Sequence, residues 1–378
     1  MPLSKVETIK ERIVAASQAA VRFLLANQAL EGSWADYLPG FSSTGWVSGY
    51  VGRALLALCQ AGLAGPEVDE PLRRTFGWLL SIQTHDGGWS WNPRVVTDTD
   101  STANCLLFLL AYPETPPAVI EAGLAALLHH QDAEWGGIHT YTEENIATAV
   151  ARYTPYFPQL STLFYGGWLS MTHSVSGVTG TAWQAAGWEA DRPAVQALRQ
   201  YLLANQSDEG YWLAYWWRGW LFPTFHCVQA LAGWGEWAAV RRAAAWVRRS
   251  QNADGGWDDG GLTRSTPFST ALAVGALLEA GGGEDEAVMR GLEWLLAAQE
   301  ADGRWEVVPN QQVPHVFQTR PWLPCPTGLA PGVFPDVNGN FTAATVLNAL
   351  AAFYASPPRR GERRENPEVE SRKLKVES

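Results

Sequence analysis

One short pattern, Gln-x-x-x-Gly-x-Trp, recurs along the chain and constrains the fold more than any other feature. Each copy follows a stretch whose apolar residues are three or four positions apart, the spacing that marks one face of an α-helix. Five copies are regular and a sixth, from Gln131 to Trp135, is degenerate. The regular copies begin at Gln28, Gln83, Gln206, Gln251 and Gln299.

A second apolar helical stretch follows every copy, so the repeat predicts twelve helices in six pairs. The helices before the repeats are predicted over Ile13–Leu25, Leu72–Ile82, Val119–Leu128, Val195–Leu203, Val240–Val247 and Val288–Leu296. The helices after them are predicted over Trp46–Leu58, Ala103–Ala111, Val175–Ala186, Phe222–Leu231, Phe268–Leu278 and Phe341–Tyr354. This arrangement predicts an all-α protein, an α6–α6 (α/α) barrel with two concentric rings, forming a single domain over residues 1–356.

The repeat residues themselves are interpreted as structural. Glycine lets the chain reverse at positive φ, which other residues rarely adopt. A glutamine amide can bond two backbone groups at once, and an indole combines a large apolar surface with one donor. Two long intervals interrupt the repeat, one between Gln131 and Gln206 and a proline-rich one from Arg304 to Asn340. We expect each to be either a functional lid or a surface cover over one barrel mouth.

Two carboxylates, Asp98 and Asp100, precede the apolar helix that begins near Ala103 and follow a pair of tryptophans, Trp89 and Trp91. A carboxylic acid that keeps its proton can act as a general acid, and a nearby like charge in a dry site favours one proton on the pair. The hydroxyls of Ser101 and Thr102 and the helix N-terminus can stabilise the anion left behind. The alternative is that these residues only cap the helix.

Aromatic side chains are unusually abundant, with 20 tryptophans, and indicate an aromatic-lined cavity in addition to the core. Such walls can stabilise a carbocation by cation–π contacts. The candidates for the lining are Trp46, Trp91, Phe164, Tyr165, Trp168, Tyr215, Trp216, Trp217, Phe222 and Phe268. Six arginines are candidates for binding a diphosphate, should the substrate carry one: Arg53, Arg94, Arg152, Arg218, Arg264 and Arg320.

Composition excludes several classes of protein. A net charge of −11 argues against nucleic-acid binding. The four cysteines are scattered without a CxxC pair, which is typical of reduced thiols in a cytoplasmic protein. No apolar run is long enough for a membrane span, and the N-terminal residues lack the apolar region of a signal peptide. Residues 357–378 are highly charged and are expected to form a disordered tail.

The repeat on helix pairs resembles the QW motif of triterpene cyclases. Gly87–Ala103 is similar to the segment of squalene–hopene cyclases that leads into their Asp-x-Asp-Asp-Thr-Ala acid motif, and Leu262–Leu278 and Gly210–Leu231 are similar to two further segments. The resemblance covers nearly residues 10 to 355 in order. It implies a class II terpene cyclase, an isomerase that starts cyclisation by protonating an alkene. It also implies that Asp100 is the proton donor, with Asp98 as its partner.

Three departures refine this expectation. Ser101 stands where hopene cyclases have a third aspartate, which is closer to the drimenyl diphosphate synthase motif. Thr181 stands where the family has a histidine that supports the acid, and His173 is the nearest substitute. The chain has one barrel where hopene cyclases have two. The cavity would therefore be closed by the barrel's own loops, by a second chain, or not at all, with room for peripheral contact with a membrane.

We therefore expect a linear isoprenoid as the substrate, preferably farnesyl diphosphate with a drimenyl-type product, or else squalene. No cofactor is expected, except that a diphosphate would bring Mg²⁺ with it. Two alternatives stay open. One is a non-catalytic barrel that binds an isoprenoid or a partner protein. The other is a zinc-dependent subunit like the protein prenyltransferase β chain, which Thr224-Phe225-His226-Cys227 faintly resembles, although the Asp-x-Cys pair of that family is absent.

Overall fold

Thirteen α-helices account for most of the part of the chain that the structure, a computed structural model, describes: residues 5–37, 42–153, 165–258, 264–283, 285–323, 328 and 330–356. The helices are α1 Lys5–Asn27, α2 Gly45–Gln60, α3 Asp69–Ser81, α4 Thr99–Ala111, α5 Pro117–His129, α6 Glu143–Tyr153, α7 His173–Ala185, α8 Pro193–Ala204, α9 Leu221–Gly233, α10 Trp237–Arg249, α11 Pro267–Glu279, α12 Glu286–Ala297 and α13 Asn340–Ala355. Two short strands, β1 Pro309–Val313 and β2 Gly332–Pro335, form an antiparallel hairpin.

Six of these helices form a closed inner ring in the order α2, α4, α7, α9, α11 and α13, and α13 packs back against α2. Helices α3, α5, α8, α10, α12 and α1 pack outside them. The α6–α6 barrel predicted from the repeat is therefore confirmed. The inner helices are mostly buried, while the outer ones expose one polar face. All inner helices begin at one end of the barrel, which we call the upper mouth, and end at the other, the lower mouth.

The glutamine and tryptophan side chains of the repeat hold neighbouring helix pairs together, as the copy at Gln251 illustrates. The Gln251 amide donates to Gly255 O within its own turn at 2.8 Å and to Ala287 O in the next outer helix at 2.9 Å. The Trp257 indole donates to Val247 O of the preceding outer helix at 2.8 Å. Because both groups are buried or half-buried, these bonds link one pair to the next around the ring.

The last copy closes the barrel. Gln299 donates to Ala16 O in α1 at 3.0 Å, which joins the sixth pair to the first. Gly303 has φ of 93°, and a Cβ built on it would lie 2.3 Å from Ala19 O. Only glycine permits both the reversed backbone and this close approach.

The degenerate sixth copy corrects one expectation. Gln131 makes the expected bonds, to Gly136 O at 2.9 Å and to Ala194 O at 2.8 Å. Trp135, however, is 63% exposed. One extra residue before the glycine shifts the pattern, so that Ile138 takes the buried position that tryptophan holds in the other copies.

Both long intervals contribute structure at the upper mouth. The first contains α6, an additional helix outside the twelve predicted, and a turn at Tyr165–Ser170. The second contains the β1–β2 hairpin, although no strand was expected there. A backbone bridge between Trp217 and Gln311 ties β1 to the loop before α9. The predicted tail, residues 357–378, lies outside the described residues.

Candidate active site

The acid motif lies at the first turn of α4, at the upper mouth. Asp98 is the N-cap of this helix, and its Oδ1 accepts a hydrogen bond from Ser101 N at 2.7 Å. Its Oδ2 accepts from Ser101 Oγ and from Trp91 N, both at 2.8 Å. The capping interpretation is therefore right for Asp98, but three donors are more than a cap requires. They also hold the carboxylate in one orientation beside the next acid.

Asp100 has a different environment. Its carboxyl receives one long hydrogen bond, from Asn104 Nδ2 to Oδ1 at 3.3 Å. Burial, followed by the charge of Asp98, raises the pKa of Asp100 to about 7. Burial also raises the pKa of Asp98, but its hydrogen bonds oppose the rise and hold the pKa to about 6. Of the two acids, Asp100 is therefore the one that keeps a proton more readily, while Asp98 is better supported as an anion.

A cavity of about 200 Å³ opens in front of the pair, and both aspartates line it. The other lining residues are Ser43, Trp46, Trp91, Thr140, Tyr141, Trp168, Trp216, Trp217, Gln311 and Val313. Five of these twelve side chains are tryptophan, and none of the twelve is lysine or arginine. An acidic pair thus faces an aromatic chamber, which we call the upper cavity.

Hydrogen bonds fix the orientation of the indoles in the upper cavity. Trp216 Nε1 donates to Thr140 Oγ1 at 2.8 Å, and Trp168 Nε1 donates to Pro314 O at 3.0 Å. The ring of Tyr141 lies 6.2 Å from that of Trp168 and 6.4 Å from that of Trp216. Because the indole nitrogens are directed at fixed acceptors, the π-faces are held in place before any substrate binds.

A second aromatic layer fills the barrel axis beneath the chamber. Trp217 stacks on Phe222 with ring centroids 3.9 Å apart and contacts Phe268 at 5.8 Å. Phe341 packs edge to face on Trp46 at 4.6 Å. Phe222 and Phe268 were expected to line the cavity, but they support it from below and are absent from its wall.

The remaining aromatic and basic candidates are dispersed. Tyr165 contacts Trp168 at 5.8 Å without reaching the cavity wall. The Tyr215 hydroxyl donates to Gln318 O at 2.9 Å, and Arg218 is half-buried beside Asn310. Arg53 lies towards the lower mouth, far from the acids along the same barrel axis. Phe164 and the side chain of Arg152 lie outside the described residues.

His173 and Thr102 were expected to support the acid pair, but their side chains hydrogen-bond to backbone groups. His173 donates through Nδ1 to Leu213 O at 2.9 Å and stacks on Tyr201 at 5.7 Å, and it is not part of the cavity wall. Thr102 Oγ1 accepts from Trp89 N at 2.9 Å. Thr270 makes the same bond to Trp257 N at 3.0 Å, so this threonine belongs to the repeat. Ser101 is the hydroxyl that reaches the carboxylate.

Sequence reasoning missed a second buried carboxyl pair at the same mouth. Asp36 accepts from Phe341 N at 2.8 Å, and Asp336 accepts from Thr342 N at 2.7 Å, so both hold the first turn of α13. Burial raises the pKa of Asp336 to about 7. The neighbouring Tyr37, with a strained φ of 65°, packs its ring on Trp46 at 5.5 Å. No repeat links these residues in the sequence, and only the fold brings them together.

Among the described residues, no three His, Cys, Asp or Glu side chains are grouped as a metal site requires. Within the same residues no helix has the length and apolar character needed to cross a membrane. Cys59, Cys105 and Cys227 are free thiols, and Cys325 lies outside the described residues. The Mg²⁺, second-chain and membrane-contact predictions stay predictions.

Comparison with known proteins identifies relatives of the same kind. The family model of the squalene-hopene cyclase C-terminal domain matches residues 170–319. A copalyl diphosphate synthase from Streptomyces cyslabdanicus is 38% identical over 104 residues, which is 25% of this chain and 19% of that protein. A squalene–hopene cyclase from Zymomonas mobilis is 32% identical over 77 residues, 20% of this chain and 12% of that protein. The matches therefore span less than a fifth of these two relatives.

Solved structures match over the full barrel. The type II terpene cyclase MstE from Scytonema, in a substituted form in complex with the substrate geranylgeranyl dihydroxybenzoate, superposes with a TM-score of 0.78 at 26% identity. The match covers 92% of this chain and 99% of MstE, so both have a single barrel of the same size. A protein from Actinoplanes matches with the same TM-score at 25% identity. In sequence and in fold, the chain is therefore similar to the class II terpene cyclases.

Proposed function

We propose that the chain protonates a carbon–carbon double bond of a linear isoprenoid and closes rings on the resulting carbocation. The observation that carries the proposal is the arrangement of the buried Asp98 and the half-buried Asp100, whose carboxyls have unequal hydrogen bonding and line a tryptophan-rich cavity. Acid, anion support and π-faces are the groups that this reaction needs, and all three occur within one mouth of the barrel.

The proton transfer is assigned to Asp100. Its O–H bond breaks as the π electrons of the terminal alkene take the proton, leaving a tertiary cation on the substrate and a carboxylate on Asp100. The next double bond then attacks the cation, and each ring closure moves the charge along the chain. Loss of a proton from the last cation yields a neutral product, and proton uptake from solvent restores Asp100. A pKa of about 7 suits an acid that must be protonated near neutral pH.

Asp98 acts as a positioning residue. Its three donors stabilise a carboxylate beside Asp100, and that charge favours the protonated form of its neighbour. The first turn of α4 supplies further positive potential for the anion that Asp100 becomes. The indoles of Trp46, Trp91 and Trp216 then face the cation, each such contact contributing about 0.5–2 kcal/mol. Their surface also excludes water, which would otherwise quench the cation.

The substrate is inferred to be a short linear isoprenoid. The upper cavity of about 200 Å³ is below the ~300–1,000 Å³ usual for small-molecule sites, which favours a farnesyl over a squalene chain. Since no described residue of its wall is cationic, a diphosphate would lie beyond that wall with Mg²⁺ as counter-ion. The relatives' substrates widen the choice, because MstE binds geranylgeranyl dihydroxybenzoate and a second relative is named for copalyl diphosphate.

The test is incubation of the purified protein with farnesyl diphosphate, geranylgeranyl diphosphate, squalene and geranylgeranyl dihydroxybenzoate, followed by mass spectrometry of the products. Asp100→Asn keeps the size of the side chain and removes the proton, so we expect at least a 1,000-fold loss of turnover, about 4 kcal/mol of barrier. The exposed Asp208→Asn serves as the matched control and should retain activity. Binding of these isoprenoids without any cyclic product would instead support the non-catalytic barrel.

A further inference from the structure

A second and larger cavity lies at the opposite end of the barrel. It occupies about 480 Å³, within the range usual for small-molecule sites, and side chains from all six inner helices line it. We call it the lower cavity. None of its lining residues belongs to the acid motif or to the upper cavity, and the proposed cyclisation does not use it.

The lower cavity is a funnel with polar groups at its inner end. Its wall follows α2 from Tyr50 to Ala61, which at 1.5 Å per residue is a depth on the order of 16 Å. Tyr50 and Arg53 lie at the inner end, and helical side chains lean towards the helix N-terminus, which carries the guanidinium deeper. The rest of the wall is mostly small and apolar, with alanines from α2, α4, α7, α11 and α13. These small residues are what leaves the space open.

Arg53 has no protein partner for its charge. It makes no hydrogen bond or ion pair with any of the described residues, although a guanidinium carries five N–H donors. Burial lowers the pKa of Arg53 from its ordinary value, and the charges of Tyr50 and then Glu279 oppose this. Burial lowers the pKa of His226 to about 3, so it is neutral near pH 7 and adds no second positive charge near Arg53.

Glu279 does not pair with Arg53 either. It lies at the rim of the lower cavity, where the side chain is exposed and accepts a hydrogen bond from Gln229 Nε2 at 3.1 Å. Its oxygens are not within ion-pair distance of Arg53. The Arg53 guanidinium is half-buried and unpaired, and an anion that enters the funnel would give it a partner where water is scarce.

We propose that the lower cavity binds a small organic carboxylate whose carboxylate pairs with Arg53 and whose hydrocarbon part contacts the alanine-rich wall. A planar carboxylate matches the two parallel N–H groups of a guanidinium. A multiply charged phosphate is disfavoured, because the C-terminal ends of six inner helices and Glu279 make the entrance electronegative. The ligand is therefore a monoanion with an apolar body.

Isothermal titration calorimetry with octanoate tests the proposal, and 1-octanol is the matched uncharged probe. Arg53→Met keeps the length of the side chain without its charge, and we expect it to weaken octanoate binding at least 10-fold while changing octanol binding less than 2-fold. Ala352→Phe, which fills the funnel near its entrance, should abolish binding of both probes. Val313→Phe fills the upper cavity and should leave octanoate binding unchanged.

Three results would overturn the proposal: octanoate that does not bind at millimolar concentration, equal affinity in the Arg53→Met protein, or loss of binding on Val313→Phe, which would assign the probe to the upper cavity. Circular dichroism of each variant confirms that the barrel is intact. The readout is binding, so it is independent of whether the chain cyclises an isoprenoid.

Discussion

Replacing Asp100 by asparagine should stabilise the protein, and the gain should grow with pH. An aspartate in an unfolded chain has a pKa near 3.9. In the folded protein burial raises the pKa of Asp100 to about 7. Between these values the folded state holds a proton that the unfolded state has released, so the free energy of unfolding falls as pH rises and levels off above pH 7. Asparagine has no titrating proton, so the free energy of unfolding of the variant does not fall in this way.

The size of the stability gain follows from the rise in the pKa of Asp100. A rise of about three pKa units corresponds to about 4 kcal/mol of differential stability, at 1.36 kcal/mol per unit. At pH 4 the wild-type and Asp100→Asn proteins should have similar stability, and at pH 5 the variant should already be more stable by about 1.5 kcal/mol. At pH 8 the variant should be more stable by up to about 4 kcal/mol. Burial of Asp100 thus lowers the free energy of unfolding at neutral pH, but it also keeps a proton on the acid there.

Urea unfolding at pH 5, 6, 7 and 8, followed by tryptophan fluorescence, measures this difference. The chain has 20 tryptophans, many of them fully buried, so the signal should be large. Asp208→Asn, at an exposed position, is the control and should show no difference that grows with pH. A stability difference between Asp100→Asn and wild type that stays constant from pH 5 to 8 would refute the argument that burial holds the proton.

Three further predictions concern turnover and the repeat. Turnover should fall tenfold per pH unit above about pH 7, because Asp100 must be protonated, and a rate independent of pH up to 9 would argue against it. Ser101→Ala removes the hydroxyl bond to Asp98 and should lower turnover at least tenfold, since a hydrogen bond to a charged group contributes about 1.5–3 kcal/mol; unchanged turnover would argue against the support assigned to Ser101. Gly303→Ala should destabilise the barrel by more than about 2 kcal/mol in urea unfolding, because the new Cβ meets Ala19 O; an unchanged midpoint would contradict the closure described for α1.

The helix pairs could be predicted because their signal is local. Apolar periodicity runs along each helix, and the recurring glutamine, glycine and tryptophan follow its end. Each copy of the repeat therefore predicts its own helix pair without information from distant segments. The error at Trp135 has the same cause. One inserted residue moved the glycine, and the pattern assigned the buried position to the wrong side chain, whereas Ile138 holds it.

The cavity could be predicted only in part, because its wall is assembled from distant segments. Asp98, Asp100 and Trp91 are close in sequence and were found together. Gln311 reaches the same cavity only through the β1–β2 hairpin, whose strands are short and carry four prolines within and around them. The pairing of Asp36 with Asp336 likewise depends on barrel closure, which no local pattern encodes.

Cyclisation in D₂O tests the central claim most directly. If Asp100 delivers a solvent-exchanged proton to the terminal alkene, the product of the preferred isoprenoid should carry one deuterium in the ring methylene next to the carbon that bears the geminal methyl groups, as seen by mass spectrometry and ²H NMR. The Asp100→Asn protein should form no such product. A cyclic product without deuterium, or one formed with release of diphosphate, would show that the reaction begins at another bond and that the acid pair does not start it.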